Sequence, residues 1–212
     1  FGRVDLYEAA YALWKNTWSA VYREAGSPES FVPDDYLRQD VICGLFHKND
    51  VAALHLYSLF NVQHSAVRDH RYFAFYPREF VEHLAEKKST YVMSMEFLTV
   101  NPAWSKKHIG ISLAEIISAC GLNVMRCLGA EAAVAPARRD VGVHEMARKI
   151  GFTSWQVGVV KRNFVCDLVI GFRDQVHPHE DAQVRSWSEH FWENRLDLVR
   201  LGQSLTTAER KA

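Results

Sequence analysis

Between residues 5 and 25, Tyr7, Tyr11, Trp14, Trp18, Val21 and Tyr22 recur at intervals of three and four, the spacing of one helix face. The stripe reads first as core packing and second as the wall of a ligand cleft. Gly26, Ser27 and Pro28 close this helix, and residues 34–40 form a short polar helix or turn. Two apolar runs, 41–47 and 51–60, then flank Lys48, Asn49 and Asp50, which predicts a β-hairpin. His55 and Tyr57 share one face of its second strand, packed or at the surface before either is read as bordering a cleft. Residues 61–71 are polar and read as a long loop. A brief apolar run, 72–76, leads to Pro77, which suits the first turn of a helix reaching about Lys88.

The stretch 91–112 organises the rest. Tyr91, Met93, Met95, Phe97 and Thr99 alternate with Val92, Ser94, Glu96, Leu98 and Val100, so a central strand is expected with one carboxylate among apolar neighbours. Pro102 ends the strand, and Gly110 lets backbone approach a ligand. The helix expected from near Ile111 to 128 would present unpaired amides suited to a phosphate. Residues 130–135 read as a short buried strand. A helix follows from about Asp140, taken as its N-cap, to Ile150, with Gly151 as its stop. Runs 156–161 and 164–172 around Arg162 and Asn163 predict a second hairpin. The tail over 181–201 is again helical, with Val184, Trp187, Phe191, Leu198 and Leu201 apolar; core packing is its first reading, ahead of a homodimer face or a lid.

Composition narrows the function classes. With 212 residues, 48% of them apolar, one domain with a substantial core is expected. Lysine plus arginine equals aspartate plus glutamate at 25 each, so no global field favours nucleic acid or an anionic membrane. No run approaches the roughly 18 to 20 apolar residues of a membrane span, and the pattern of a signal peptide is missing. Cys43, Cys120, Cys127 and Cys166 lack close-pair spacing and read as reduced thiols, which points to a cytoplasmic location. His177, Pro178, His179, Glu180 and Asp181 are contiguous without an opposing ligand cluster, so they read as a solvated turn and no metal is expected.

The order hairpin, strand, glycine turn, helix, strand, helix, Gly-Phe, hairpin over residues 41–172 resembles the GNAT superfamily of N-acyltransferases. Three pieces carry the resemblance. Leu98-Thr99-Val100-Asn101-Pro102 is similar to the family's central-strand ending, and Lys107-His108-Ile109-Gly110-Ile111-Ser112 to its pyrophosphate loop. Asp140 through Lys149-Ile150-Gly151-Phe152 is similar to its closing helix. The resemblance implies an α/β fold, a mixed and largely antiparallel sheet flanked by helices, in a single domain over 1–212. Within it lie an N-terminal helical elaboration at 1–40, a motif core at 41–172 and a C-terminal helix at 181–201.

It further implies a V-shaped opening beside the central strand that takes the pantetheine arm of acetyl-CoA or another acyl-CoA. Main-chain groups near Leu98 and Val100 would pair with that arm, and the loop from Lys107 and His108 through Ile109, Gly110, Ile111 and Ser112 would hold the pyrophosphate, with Asp140 near the cofactor. A small-molecule amine or amino acid would attack the thioester directly. Glu96 is the candidate base, since an ammonium must lose a proton first; the competing reading pairs it with a neighbouring arginine or amide. Three departures stand out: Lys107 replaces the usual Arg or Gln, Asp140 a common Asn, and Ala147 the frequent tyrosine general acid. The helices ahead of the first hairpin, with Asp34, Asp35, Arg38 and Asp40, also resemble acyl-homoserine-lactone and long-chain N-acyl amino acid synthases, which draw on acyl carrier protein. A short acyl donor is therefore expected first and a long one second. A module that binds an acyl-thioester without turnover is the reading from a different class.

Overall fold

The computed structural model describes residues 4–87 and 89–198. Its aromatic stripe makes α1 (Val4–Glu24) amphipathic, burying Ala10, Trp14 and Tyr22. Gly26, in the left-handed region at φ 71°, turns the chain away, and α2 (Asp34–Leu37) follows. The first hairpin is β1 (Val41–His47) and β2 (Asp50–Asn61). The polar stretch expected as a loop contains one helical turn, α3 (Ser65–Arg68). After it, Tyr72, Phe73 and Tyr76 of the apolar run are buried as a knot of rings. Next come α4 (Arg78–Glu86), capped by Pro77 and short of Lys88, which lies outside the described residues, and the central strand β3 (Tyr91–Val100).

A single turn, α5 (Lys106–Ile109), ends at Gly110 and precedes α6 (Leu113–Cys127). Ser112 caps α6 by accepting from the Glu115 amide, the first half of a capping box. Then follow β4 (Ala132–Arg138), α7 (Val143–Arg148), β5 (Thr153–Lys161), β6 (Phe164–Phe172) and α8 (Ala182–Glu193). Asp140, expected from the sequence as the N-cap of α7, does not cap it; Gly142 holds that position with φ 71°. Asp181 does cap α8, accepting from the Gln183 and Val184 amides, but α8 stops at Glu193, and Leu201 lies outside the described residues.

Among the described residues the sheet has six strands in the order β1-β2-β3-β4-β6-β5, with only β3 and β4 parallel. Strand alternation sends side chains to two layers. On one face Tyr57, Met93, Ala133 and Val169 pack with Leu122, Val124 and Met125 of α6, while Val184 of α8 joins Ile116 and Ile117 in the adjoining cluster. On the other, Leu54 and Leu56 meet Trp14 and Tyr36, and Val92, Val134 and Ile170 meet the ring knot and Phe80 and Leu84 of α4. The four cysteines are free thiols. No described helix is long and apolar enough to cross a membrane.

Candidate active site

The parallel pair β3 and β4 is short. Only Val92, Met93 and Ser94 pair with Ala132, Ala133 and Val134, and beyond them the two strands part. On the opposite edge of β3 the register slips: Leu56 faces Glu96 and Leu54 faces Thr99, so His55 stands opposite two residues, Phe97 and Leu98. This is a β-bulge, and Phe97 takes φ 54° to make it. A left-handed aromatic residue costs about 1–2 kcal/mol, offset here by packing. The Phe97 ring sits edge-on to Trp14 at 5.5 Å and Trp18 at 5.1 Å, and the Thr99 hydroxyl donates to the Phe97 carbonyl at 2.7 Å. Trp18 Nε1 in turn donates to Thr99 Oγ1 at 2.9 Å, tying α1 to the bulge.

The bulge corrects the simple alternation expected of this strand. Phe97 joins Trp14 and Trp18 on the α1 side, where Glu96 meets Arg38, while Leu98 and Val100 pack on the α6 side. The strand therefore presents a charged side chain to one cavity and apolar side chains to another.

The second of these is a cleft of about 350 Å³ between the parted strands. Leu98, Val100, Ala114, Ser118, Ala137 and Ala147 line it, so the position of the family's tyrosine contributes only a methyl group. Beside it runs the predicted phosphate loop, but its amides divide. Those of His108, Ile109 and Gly110 already donate to the carbonyls of Ser105 and Lys106. Among the described residues no acceptor meets the amides of Ile111, Ser112, Leu113 and Ala114, so the open donors lie at the start of α6, four residues after the loop's beginning at Lys107. Gly110 makes the turn at φ 80°, with open space where a Cβ would stand. Lys107 and His108 are exposed, and the His108 ring folds back onto Ser105 Oγ at 2.9 Å and the Pro102 carbonyl at 3.0 Å.

Asp140 lines neither cavity. It holds Arg138 through two hydrogen bonds of 3.0 and 2.6 Å, and that arginine keeps its carboxyl below the ordinary carboxylate value. His55, opposite the bulge, faces the cleft with Nδ1 lacking a partner among the described residues; burial pushes its pKa down to about 3, so it is neutral. His179, from the histidine-bearing turn, is buried 3.8 Å from Glu115. Among the described residues no group of three or more His, Cys, Asp or Glu side chains is placed to hold a metal.

The first cavity, about 380 Å³, lies on the α1 side and is charged. Glu96 forms its floor. Arg38 donates to both Glu96 oxygens, to Oε1 at 3.0 Å, and Ser94 Oγ donates to Oε1 at 2.7 Å. Asp35 is buried and shared: Arg38 Nε donates to Oδ1 at 3.2 Å, Arg162 Nη2 to Oδ2 at 3.1 Å, and Arg71 lies 3.9 Å away. Arg162 also donates to the Tyr22 hydroxyl at 2.6 Å, and Arg138 Cζ stands over the Phe164 ring, 3.8 Å from its centre. Lys161 completes the wall, with Nζ 3.6 Å from the centre of the Phe75 ring.

The two cavities share Trp18, Met95, Phe97, Pro136 and Arg138. Sequence pattern brought out Glu96, Leu98, Val100 and the glycine turn. Tyr22 belongs to the aromatic stripe whose second reading was a cleft wall, whereas Lys161 and Arg162 were missed as site residues. Their only signal was a hairpin tip carrying two adjacent cations, Lys161 and Arg162, with Arg162 and Asn163 at φ 50° and 64°.

No family model and no curated protein sequence matches this chain. Among solved structures it is similar to FeeM, an N-acyl amino acid synthase from uncultured soil microbes, at 11% identity and a TM-score of 0.52 over 80% of this chain and 86% of that one. It is also similar to arylalkylamine N-acetyltransferase 2 from Aedes aegypti, at 9% identity and a TM-score of 0.47 over 66% and 76% of the two chains. The chain has the GNAT-type N-acyltransferase fold.

Proposed function

We propose that this protein is an N-acyltransferase that moves an acyl group from acyl-CoA to a small amine bearing its own carboxylate, such as an amino acid. The observation that carries the reading is the meeting of an apolar cleft and a charged cavity at one wall, where the strands part. In this reading the unpaired edge of β3 from Met95 to Val100 receives the pantetheine arm as an added strand would, and the amides of residues 111–114 receive the diphosphate. Glu96 gives the charged cavity a negative floor for the acceptor's ammonium. Around it stand four arginines, Arg38, Arg71, Arg138 and Arg162, against two carboxylates, Asp35 and Glu96, and that excess suits a second, anionic group on the acceptor. The name of FeeM, an N-acyl amino acid synthase, supports the same acceptor class.

The chemistry is direct attack of the amine on the thioester carbonyl, held in line by the two adjoining cavities. A single cleft of about 350 Å³ has to hold both the pantetheine arm and the acyl group, which favours acetyl or another short acyl over a long one. Thiol release from acyl-CoA donors of two to sixteen carbons, measured against amines with and without a carboxylate, tests all of this. The reading expects release with amino acids and a preference for two or three carbons. A rise of about tenfold per two methylenes, the worth of burying them at about 0.8 kcal/mol each, would make the donor a long acyl chain. Tight CoA binding without thiol release from any pair would reduce the protein to a binding module.

A further inference from the structure

An acceptor amine with a pKa near ~10 arrives protonated at neutral pH, so some group must take its proton before the lone pair can attack. The carboxylates of the charged cavity are already engaged. Glu96 accepts from Arg38 at both oxygens and from Ser94, and Asp35 accepts from Arg38 and Arg162. Lys161 differs from every other polar side chain of that wall. It sits at the last position of β5, half-buried, with Nζ 3.6 Å from the Phe75 ring centre and 5.4 Å from that of Tyr72. Among the described residues no carboxylate or other hydrogen-bond acceptor meets Nζ, which leaves that nitrogen to whatever occupies the cavity.

The electrostatics around it point the same way. Arg38 and Arg162 disfavour a charge on Lys161, and Glu96 and the Cys166 thiol favour one; burial outweighs all four and brings the amine down to about 7. Tyr72 and Tyr76, also packed nearby, stay neutral, since burial raises both hydroxyls well above their ordinary value. Asp35, Arg71 and Arg138 face the same cavity, each of them ion-paired. The Phe75 face stabilises the protonated form once it is made.

Building on the acyltransfer reading, we propose that Lys161 is the proton acceptor for the attacking amine. Its neutral Nζ takes one proton from the acceptor's ammonium. The freed lone pair forms the C–N bond to the thioester carbonyl carbon, and the C–S bond breaks as the tetrahedral adduct collapses. The second proton on nitrogen leaves with the sulfur as the thiol, and Lys161 returns its own proton to water. The reaction thus converts ammonium and thioester into amide, thiol and one released proton. Glu96 holds the ammonium in place and gives up no electrons.

Two variants and one measurement independent of turnover test the assignment. Lys161→Met keeps the length of the side chain without a basic nitrogen, and Lys161→Arg keeps the charge but accepts no proton at these pH values. Wild-type kcat/KM with acetyl-CoA and an amino acid is expected to rise through an inflection near pH 7. Both variants are expected to lose about 10²-fold or more of that rate, and the inflection with it, while binding CoA unchanged. In the wild-type protein without substrates, pH-dependent labelling by an amine-reactive reagent, read by mass spectrometry, should give Lys161 a midpoint near 7. A Lys161 midpoint near ~10, or activity with its inflection retained in Lys161→Met, overturns the proposal. Stable acylation of Lys161 itself overturns it too. Release that survives in Lys161→Met leaves acyl transfer standing, whereas a wild-type protein releasing no thiol removes both.

Discussion

The cleft and the cavity on the two sides of β3 are built by opposite means. The cleft is walled mainly by apolar side chains, from Ala114, Ala137 and Ala147 to Leu98, Met146 and Phe152, with the main-chain groups of an unpaired strand edge and four open amides beside it. The cavity is made of long charged side chains locked against each other, Arg38 with Glu96 and Asp35, and Arg162 with Asp35 and Tyr22. A site formed by main-chain groups tolerates changes of side chain and suits a partner that never varies, such as a cofactor. A site formed by interlocked side chains is specific and easily re-tuned, as an acceptor pocket must be. The Phe97 bulge separates them, since it turns Leu98 towards one and leaves Glu96 facing the other.

Changes confined to one side should therefore leave the other intact. The largest effect is expected from Gly110→Glu, which sets a carboxylate beside the amides proposed to take the diphosphate. Titration calorimetry should show CoA affinity falling by at least about a hundredfold, the scale of lost charge-assisted contacts. Gly110→Ala carries the same left-handed strain of about 1–2 kcal/mol in an open space and should lose stability but little affinity. Equal affinities in the two variants would show that strain, not charge, governs the loop.

Next comes Arg38→Ala, which leaves the buried Glu96 and Asp35 short of their main partner. Urea denaturation should show a loss of about 3–5 kcal/mol, the cost of an uncompensated buried charge. Where the variant remains folded, its CoA affinity should match that of the native protein. Glu96→Gln is milder, because Arg38 keeps Asp35. Steady-state kinetics should show kcat/KM for the acceptor down by about tenfold or more, with affinity for CoA unchanged, the worth of one hydrogen bond to a charged group. Full activity across pH would make Glu96 purely structural.

The smallest effect belongs to the support of the cleft. Burial pushes the Glu115 carboxyl up, but the Lys149 ammonium, 2.5 Å away, outweighs that and holds it below 4.5. A carboxylate depressed in the folded state stabilises fully above its unfolded value and loses that contribution as pH falls through the lower folded value. Lys149 is partly exposed, so solvent screens the pair, and Glu115→Gln should cost about 1 kcal/mol at pH 7. In denaturation curves taken at successively lower pH, the gap between native and variant should close below about pH 4.5. A gap that persists in acid would assign the effect to packing instead.

These asymmetries also explain what the sequence made legible. Both hairpins, the central strand and the helix after the glycine turn follow from local periodicity and appear within a few residues of their expected limits. Of the cleft, Leu98, Thr99 and Val100 were readable because they run consecutively towards the glycine turn, so order and spacing carry the signal, whereas Ala137, Ala147 and Val169 join them only through the fold. The cavity draws on α1, α2, the ring knot, β3, β4 and the second hairpin, segments brought together only by the tertiary fold. Nothing in the spacing of Tyr22, Asp35, Arg38 and Arg162 announces that they share one network. The bulge was hidden for a different reason: alternation of side chains assumes an unbroken ladder, and one extra residue reverses every assignment beyond it.

The claim on which the rest depends is that the two cavities open into each other where the strands part. A conjugate in which the CoA sulfur is joined through an acetyl bridge to the amine of an amino acid would have to span both. If they meet, calorimetry should find the conjugate at least about tenfold tighter than CoA alone, the added half binding at high effective concentration. Gly110→Glu and Glu96→Gln should each weaken it. A conjugate that binds no more tightly than CoA, and ignores Glu96→Gln, would contradict the account.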